Sequence, residues 1–148
     1  MNKQLIVSVG LIERDSKFLL TRRVSPLHPQ WHHRWELPGG KIYPEETPET
    51  ALRREVFEET NLKIEKLRLL GIYTQYWKMP TGTQQTFIVL YHCFAFPGEV
   101  ILNPEENDAF SWENMEEIMQ KKNLLDGISD MLKNLFLKNN EMWVLTKK

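Results

Sequence analysis

The sequence predicts an α/β domain in which a sheet is layered against helices. Three observations lead to this prediction: strand-like segments flank a central helix on both sides, that helix has clear start and stop signals, and a second helical pattern comes near the end of the sequence. Strands that precede and follow a helix commonly form one sheet with helices laid against its faces.

A predicted β-hairpin opens the chain. Residues 4–14 are rich in apolar and β-branched side chains, residues 15–17 form a polar turn, and residues 18–23 return as a second strand. Residues 24–34 contain two prolines and three histidines, which predicts a loop. Residues 37–40, with the sequence LPGG, predict a break in regular structure.

The central helix is predicted over residues 48–60. Thr47 is a good N-cap, Pro48 suits the first helical position, and Glu49 lies at the positive end of the helix dipole. Asn61 stands where a left-handed residue commonly ends a helix, and asparagine is the usual second choice there after glycine.

Two long strands are predicted after the helix, at residues 63–77 and 84–96, with a turn at residues 79–83 between them. Residues 109–112 predict another short strand. The last predicted element is an amphipathic helix, because apolar residues recur there at spacings of three and four. Those residues are Leu124, Leu125, Ile128, Met131, Leu132 and Leu135.

The composition predicts one ordinary globular domain over residues 1–148, with 41% hydrophobic and 26% charged residues. Nineteen basic and twenty acidic residues give a net charge of −1, which argues against stable nucleic-acid binding through charge. The single cysteine, Cys93, excludes an internal disulfide framework and a cysteine-based zinc site. Its position in the middle of a strand predicts a small core residue.

No membrane or export segment is predicted. The longest uncharged apolar run, residues 86–97, is shorter than the roughly 20 residues that a membrane-spanning helix needs. Residues 5–12 are apolar enough for the core of a signal peptide, but the charged residues 13–15 stand where small residues would mark a cleavage site. We therefore expect a cytoplasmic protein.

The central helix carries three glutamates on one face. Glu55, Glu58 and Glu59 lie at positions i, i+3 and i+4, so their carboxylates are neighbours. Three like charges this close repel one another, and a hard divalent cation such as Mg²⁺ would cancel that repulsion through oxygen ligands. The alternative is a solvated face, because runs of charge commonly face water.

Residues 40–62, GKIYPEETPETALRREVFEETNL, resemble the Nudix box. That pattern is glycine, five residues, glutamate, seven residues, Arg-Glu, an aliphatic residue, any residue, Glu-Glu, any residue, glycine and an aliphatic residue. The positions that match in register are Gly40, Glu46, Arg54, Glu55, Val56, Glu58, Glu59 and Leu62. Asn61 replaces the second glycine, Tyr43 replaces a common glutamate, and Glu45 replaces a common glycine, which predicts a locally altered loop.

Residues 1–23 and 36–42 are in addition similar to the MutT branch of the family, which cleans nucleoside triphosphate pools. The resemblance implies a Nudix-type α/β/α sandwich with a mixed central sheet. It also implies a pyrophosphohydrolase that uses Mg²⁺, or Mn²⁺, to cleave a nucleoside diphosphate-linked substrate. The leading substrate is a (d)NTP, converted to a nucleoside monophosphate and pyrophosphate.

The resemblance also assigns roles to residues of this chain. The metal ligands are the backbone carbonyl of Gly39 and the carboxylates of Glu55, Glu58 and Glu59. Glu58 or Glu59 is the expected general base, and Glu105 or Glu106, outside the box, are the alternatives. Glu46 and Arg54 are expected to form an ion pair that orients the helix and the loop before it.

Four residues are expected to contact the substrate. Arg23 and Lys41 are candidates for the phosphates, although solvated surface cations remain the alternative for both. His28 matches a MutT position, and Leu37 is a candidate for lining the base pocket. The aromatic residues are left open between stacking on a base and packing in the core. They are Trp31, Trp35, Tyr76 and Trp77.

Other functions stay open beside the leading one. ADP-ribose or another nucleotide sugar is an alternative substrate, although Pro80 lies later than the proline expected for an ADP-ribose pyrophosphatase. A non-catalytic nucleotide-sensing module and a prenyl-diphosphate isomerase are further alternatives, disfavoured by the complete set of box carboxylates and by the position of Cys93. The expected partner is a small-molecule nucleotide. A homodimer is compatible with the sequence, which is silent on oligomeric state.

Overall fold

A computed structural model describes residues 1–138. The strands are β1 (Lys3–Arg14), β2 (Lys17–Arg23), β3 (Trp35–Glu36), β4 (Gly39–Lys41), β5 (Ile64–Met79), β6 (Gly82–Ala95) and β7 (Asn107–Glu113). The helices are α1 (Pro48–Thr60), α2 (Met115–Met119) and α3 (Ile128–Leu132), and a π-helical turn (Lys133–Leu137) extends α3. The predicted domain of residues 1–148 ends beyond the described residues.

The seven strands form one mixed sheet, as the resemblance implies. Five of them lie in the order β3-β2-β1-β6-β5, while β4 pairs with β1 and β7 pairs with β2. The β1–β6 pairing is parallel and runs from Lys3 opposite Gln84 to Glu13 opposite Phe94, whereas the other pairings are antiparallel. A parallel pair at the centre of antiparallel strands is what makes the sheet mixed.

Helices cover both faces of this sheet, which gives the layered sandwich. On one face, Leu52 and Val56 of α1 pack in a cluster with Ile12 and Cys93, all four fully buried. On the other face, a second cluster joins sheet residues to the helices that follow β7. It contains Leu11, Leu20, Leu90, Ile118, Ile128, Met131, Leu132 and Phe136 among others. The prediction that Cys93 is a core residue is confirmed.

The turn residues and the capping residues predicted the hairpin and α1 correctly. Asp15 and Ser16 both have positive φ values, 53° and 63°, so they form the tight turn between β1 and β2. The Thr47 side chain accepts a hydrogen bond from Thr50 N at 3.1 Å and caps α1. Asn61 is left-handed at φ 66° and ψ 8°, and its N–H donates to Phe57 O.

Three parts of the prediction are wrong, and for the first two a distant segment supplies the hydrogen-bond partner. Residues 37–40 do not form a simple break, since Gly39–Lys41 pairs with β1. The last helix begins at Ile128 rather than Leu124, because backbone hydrogen bonds attach residues 123–125 to Trp35. The sequence analysis also missed α2, although Asn114 and Glu117 form a reciprocal capping box there. None of the helices within residues 1–138 is long and apolar enough to cross a membrane.

Candidate active site

The acidic face of α1 is only partly solvated, because Glu58 is half exposed whereas Glu59 is buried. Glu59 is only 6% exposed, and its Oε2 atom has no hydrogen-bond partner. The backbone of Gly39 in β4 hydrogen-bonds to the Glu59 carboxylate, which ties the helix to the strand before it. A buried acceptor without a partner lowers the stability of the fold, so the free Oε2 atom of Glu59 carries an energetic cost.

Several carboxylates surround Glu59. Burial raises the pKa of Glu59 well above its usual value, and the nearby charges of Glu36, Glu55 and Glu106 raise it further. Glu36, in β3, is buried, and desolvation raises its pKa as well, although Arg23 opposes that shift. The pKa of Glu106 is also raised, first by desolvation and then by Glu55 and Glu58. The site therefore concentrates negative potential around one unpartnered oxygen.

Arg54 organises the rest of the box. Its Nε and Nη2 atoms donate to the two carboxylate oxygens of Glu46 at 2.7 and 2.8 Å. Its Nη1 atom donates to Glu55 at 3.0 Å and to Glu58 at 3.3 Å, and Nη2 also reaches the carbonyl of Lys41. The predicted ion pair between Arg54 and Glu46 is therefore present, as part of a larger network.

The contacts of this network shift the pKa values of Glu46 and Arg54 in opposite directions. Hydrogen bonds from Arg54 and from the Tyr43 backbone lower the pKa of Glu46 to about 2, and the contacts with Glu46 and Glu55 raise the pKa of Arg54. Tyr43, which departs from the box pattern, lies under the Arg54 guanidinium at 4.1 Å from the ring centroid. Glu45 keeps a negative φ, and the loop closes through a hydrogen bond from Glu46 N to Tyr43 O.

Two glycines allow β4 to approach both β1 and α1. A Cβ atom on Gly40 would lie 2.5 Å from Cδ of Glu55. One on Gly39, whose φ is 153°, would lie 2.1 Å from the carbonyl oxygen of Ser8. A side chain at position 39 would force β4 away from β1, and one at position 40 would displace the Glu55 carboxylate. Close contact rather than a turn therefore requires glycine here.

The donor set fits a hard divalent cation. Within residues 1–138, no three histidine, cysteine, aspartate or glutamate side chains converge closely enough to hold a metal ion, and Arg54 forms ion pairs with both Glu55 and Glu58. The unpartnered Glu59 oxygen and the surrounding carboxylates nevertheless supply only oxygen ligands, in a place where a cation would relieve their repulsion. Carboxylate and carbonyl oxygens are the ligands that Mg²⁺ and Mn²⁺ favour.

A cavity of about 340 Å³ adjoins this cluster. All four residues predicted to contact the substrate line it, namely Arg23, His28, Leu37 and Lys41. Gly39 and Gly40 line it too, which joins the cavity to the acidic face of α1. Of the predicted metal ligands, Gly39 lines the cavity, whereas the carboxylates of Glu55, Glu58 and Glu59 do not. Two of these carboxylates adjoin the cavity through the glycines, because Gly40 lies against Glu55 and Gly39 hydrogen-bonds to Glu59.

Aromatic and cationic side chains form one wall of the cavity. Trp31 stacks on His28 at 4.7 Å between ring centroids and meets Trp77 edge-on at 5.7 Å. Arg23 lies 5.4 Å from the Trp31 ring and 3.2 Å from both carboxylate oxygens of Glu36. The Trp31 Nε1 atom is buried without a hydrogen-bond partner. This wall offers flat apolar surface beside an unused donor.

The other predicted aromatics lie outside the cavity lining. Trp35 is covered by Arg22 at 5.8 Å and Lys121 at 4.4 Å, and the Tyr76 hydroxyl accepts a hydrogen bond from Gln85 on the outer surface. Of the two acids outside the box, Glu106 lies near the box carboxylates, and the charges of Glu55 and Glu58 help to raise its pKa.

Sequence reasoning missed Glu36, which lines the cavity and contacts Arg23. The one signal for it was an acidic residue between Trp35 and Leu37, two large apolar residues. A carboxylate in such a setting is rarely buried unless it is paired.

Comparisons with known proteins agree with this geometry. The family model described as "NUDIX domain" matches residues 3–135. A CTP pyrophosphohydrolase from Escherichia coli is 30% identical over 118 residues, which cover 80% of this chain and 82% of that protein. A MutT-like protein from Streptomyces ambofaciens is 31% identical over 111 residues, 75% of this chain, and the match spans 64% of that longer relative.

Solved structures show the same architecture. A MutT protein from Methanosarcina mazei aligns with a TM-score of 0.79 at 25% identity, covering 93% of this chain and 96% of its own. The E. coli ORF135 protein aligns with a TM-score of 0.75 at 26% identity, covering 95% and 93%. The box residues, the mixed sheet and these matches lead to one assignment. The chain belongs to the Nudix family, as a MutT-like hydrolase that acts on phosphoanhydride bonds.

Proposed function

We propose that this hydrolase uses Mg²⁺ to cleave a (d)NTP into a nucleoside monophosphate and pyrophosphate. The observation that carries the proposal is the buried Glu59 carboxylate, whose free oxygen lies among three other carboxylates beside a cavity lined by basic and aromatic side chains. Such a site is costly to build unless a cation and an anionic substrate occupy it together.

Glu55, Glu58, Glu59 and the carbonyl of Gly39 would hold the metal. When bound, a divalent metal neutralises phosphate charge, polarises the phosphoryl oxygen and acidifies a water molecule. Glu58 is our first candidate for the general base, since it is half exposed and can meet solvent water. Glu106 is the alternative outside the box, because it lies beside the same carboxylates.

The remaining site residues bind and orient. Arg23 and Lys41 line the cavity and would hold the phosphates of the substrate. Arg54 restrains the Glu55 and Glu58 carboxylates through Nη1 and is itself fixed by Glu46. His28 and Leu37, with the aromatic wall, would contact the nucleoside.

The substrate class rests on two supports. The cavity combines apolar walls with a few polar groups, which suits a nucleoside better than a bare polyphosphate. One relative of similar length is named as a CTP pyrophosphohydrolase. We further propose that residues 1–148 form a single domain and that the protein is cytoplasmic.

The test is product release from a panel of substrates. The (d)NTPs, oxidised dGTP and ADP-ribose are each incubated with Mg²⁺, Mn²⁺ or EDTA, and monophosphate and pyrophosphate are quantified. We expect metal-dependent turnover of a (d)NTP, and a decrease in kcat of about 10²-fold or more for Glu58→Gln. Glu65→Gln, on the exposed side of β5, is the matched control. Preference for ADP-ribose would contradict the substrate assignment, and turnover in EDTA would contradict the metal assignment.

A further inference from the structure

The floor of the cavity is a strip of sheet with two chemically different ends. Alternate residues of β1 and β6 line it, because alternate side chains of a strand share a face. Near Gly39 the floor is apolar and contains Val7, Val9 and Ile88. Farther along the same strands it becomes polar, with Thr86 and Gln84 from β6.

The polar end lies well away from the carboxylates. Gly39 pairs with Val9 of β1, while Thr86 and Gln84 pair with Leu5 and Lys3 of the same strand. At about 3.3 Å per residue, the polar end begins roughly 13 Å from Gly39 and extends to roughly 20 Å. A substrate with its phosphates at the carboxylates would therefore place a different chemical group over Thr86 and Gln84.

Gln84 and Thr86 are buried yet keep unused hydrogen-bonding capacity. They are 6% and 7% exposed, and Gln84 Nε2 donates to Thr86 Oγ1 at 3.2 Å. This is the one side-chain hydrogen bond of Gln84 within residues 1–138. The pair still offers an acceptor, the Gln84 Oε1 atom, and two donor hydrogens, one on each side chain. Gln84 Oε1 accepts no hydrogen bond within residues 1–138 and is not sealed from solvent, so this capacity is open to a ligand in the cavity.

The surroundings indicate a flat ligand. Trp77 is the cross-strand partner of Gln84, and the edge-on contact of Trp31 with Trp77 holds the Trp77 ring in place. A nucleobase has the planar faces that stack on such rings and an edge where donors and acceptors adjoin. A glutamine amide pairs with an edge of this kind through two hydrogen bonds.

We propose that Gln84 and Thr86 read the nucleobase and set the base selectivity of the enzyme. This inference rests on the proposed function, because it assumes that the substrate phosphates lie at the carboxylates of α1. Each residue presents donors and acceptors that one base matches and its competitors leave unpaired. Since a site built to hydrogen-bond its ligand rejects analogues that leave its buried polar groups unpaired, a single residue here changes selectivity strongly.

The test measures binding, so that it does not depend on turnover. The adenosine, cytidine, guanosine and uridine triphosphates with a methylene bridge between the α- and β-phosphates are titrated in Mg²⁺, with quenching of tryptophan fluorescence as the readout. Thr86→Val and Gln84→Met remove the polar groups at nearly constant volume. Gln85→Met is the matched control, because Gln85 lies on the opposite face of β6 and bonds to Tyr76.

We expect the wild type and Gln85→Met to prefer the same base, and the two cavity variants to bind that base about 10- to 100-fold more weakly. Their affinities for the other bases, and for inorganic triphosphate, should change little. An unselective wild type, or cavity variants that keep the wild-type ratios, would overturn the inference. An equal loss for all ligands, triphosphate included, would indicate a purely structural role and would overturn it as well.

The two proposals fail in different ways. If the unmodified nucleotides are not hydrolysed, the proposed function is wrong, yet the ratios of the uncleavable analogues still decide the role of Gln84 and Thr86. If hydrolysis proceeds and the ratios survive both substitutions, only the inference about base reading fails.

Discussion

Glu59→Gln should make the metal-free protein more stable and inactive at the same time. The substitution removes a charge that is 6% exposed, has one oxygen without a partner and faces Glu36, Glu55 and Glu106. It keeps the shape of the side chain and an oxygen that accepts the Gly39 hydrogen bond. Proteins keep such a destabilising charge where their function requires it.

The size of the expected change in the free energy of unfolding follows from the burial of Glu59. A buried group without its hydrogen-bond partner costs about 1–3 kcal/mol, and part of that is recovered when the charge is lost. We expect the free energy of unfolding to rise by about 1–2 kcal/mol in EDTA. For a chain of this size that corresponds to a Tm increase of roughly 3–8 °C.

Divalent metal should reverse the order of the two proteins. A metal at 100-fold its Kd stabilises the folded state by about 2.7 kcal/mol, and Glu59→Gln should lose most of that gain. The assay is thermal unfolding in EDTA and in a series of Mg²⁺ concentrations. Glu58→Gln is the comparison, because that half-exposed side chain should change the EDTA stability by no more than about 0.5 kcal/mol.

Two results would refute the reasoning. If Glu59→Gln unfolds below the wild type in EDTA, the charge is not an uncompensated cost in the metal-free fold. If Mg²⁺ raises the Tm of wild type and variant equally, Glu59 does not bind the metal.

Three further predictions concern the fold and its titrating groups. Asn61→Gly should be neutral or slightly stabilising in urea unfolding, whereas Asn61→Ala should cost about 1 kcal/mol, because φ is 66° there; equal stabilities would contradict the left-handed cap. The Arg54 contacts lower the pKa of Glu46 to about 2, so the ionised Glu46 stabilises the fold above about pH 4.5 and this contribution disappears as the pH falls towards 2. Glu46→Gln should lose that pH dependence of stability. An NMR titration of the Glu46 carboxyl with a midpoint near 4.5 would contradict the lowered pKa. Burial raises the pKa of Cys93 to about 12, so the native thiol should not react with Ellman's reagent at pH 8 but should react fully in guanidinium; rapid reaction of the native protein would show that the β6 core opens.

The parts of the fold that the sequence predicted are those with local causes. The hairpin turn at Asp15 and Ser16 and the caps at Thr47 and Asn61 depend on residues that lie next to one another. By contrast, β3 is held by β2 and by residues 123–125, and the late start of α3 has the same cause. No periodicity in the sequence records such a pairing.

In the candidate site, too, the sequence predicted the features with local causes and not those that depend on tertiary contacts. Helical spacing placed Glu55, Glu58 and Glu59 on one face, and the structure agrees, but spacing does not tell which of them is buried. Glu59 is buried because β4 approaches α1 through Gly39 and Gly40, a tertiary contact. Glu36 escaped prediction because its importance comes from Arg23 and Glu59, neither of which adjoins it in sequence.

The parallel pairing of β1 with β6 has a consequence for synthesis of the chain. During synthesis, β1 finds its hairpin partner β2 within a few residues, but its parallel neighbour β6 follows about 80 residues later. At a synthesis rate of about 5–20 residues per second, the edge of β1 that pairs with β6 stays unpaired for roughly 4–16 s. Closing so long a loop also slows folding, and an open apolar edge invites pairing with other chains. We therefore expect nascent chains that end before β6 to be the form most prone to aggregate and the form most in need of a chaperone.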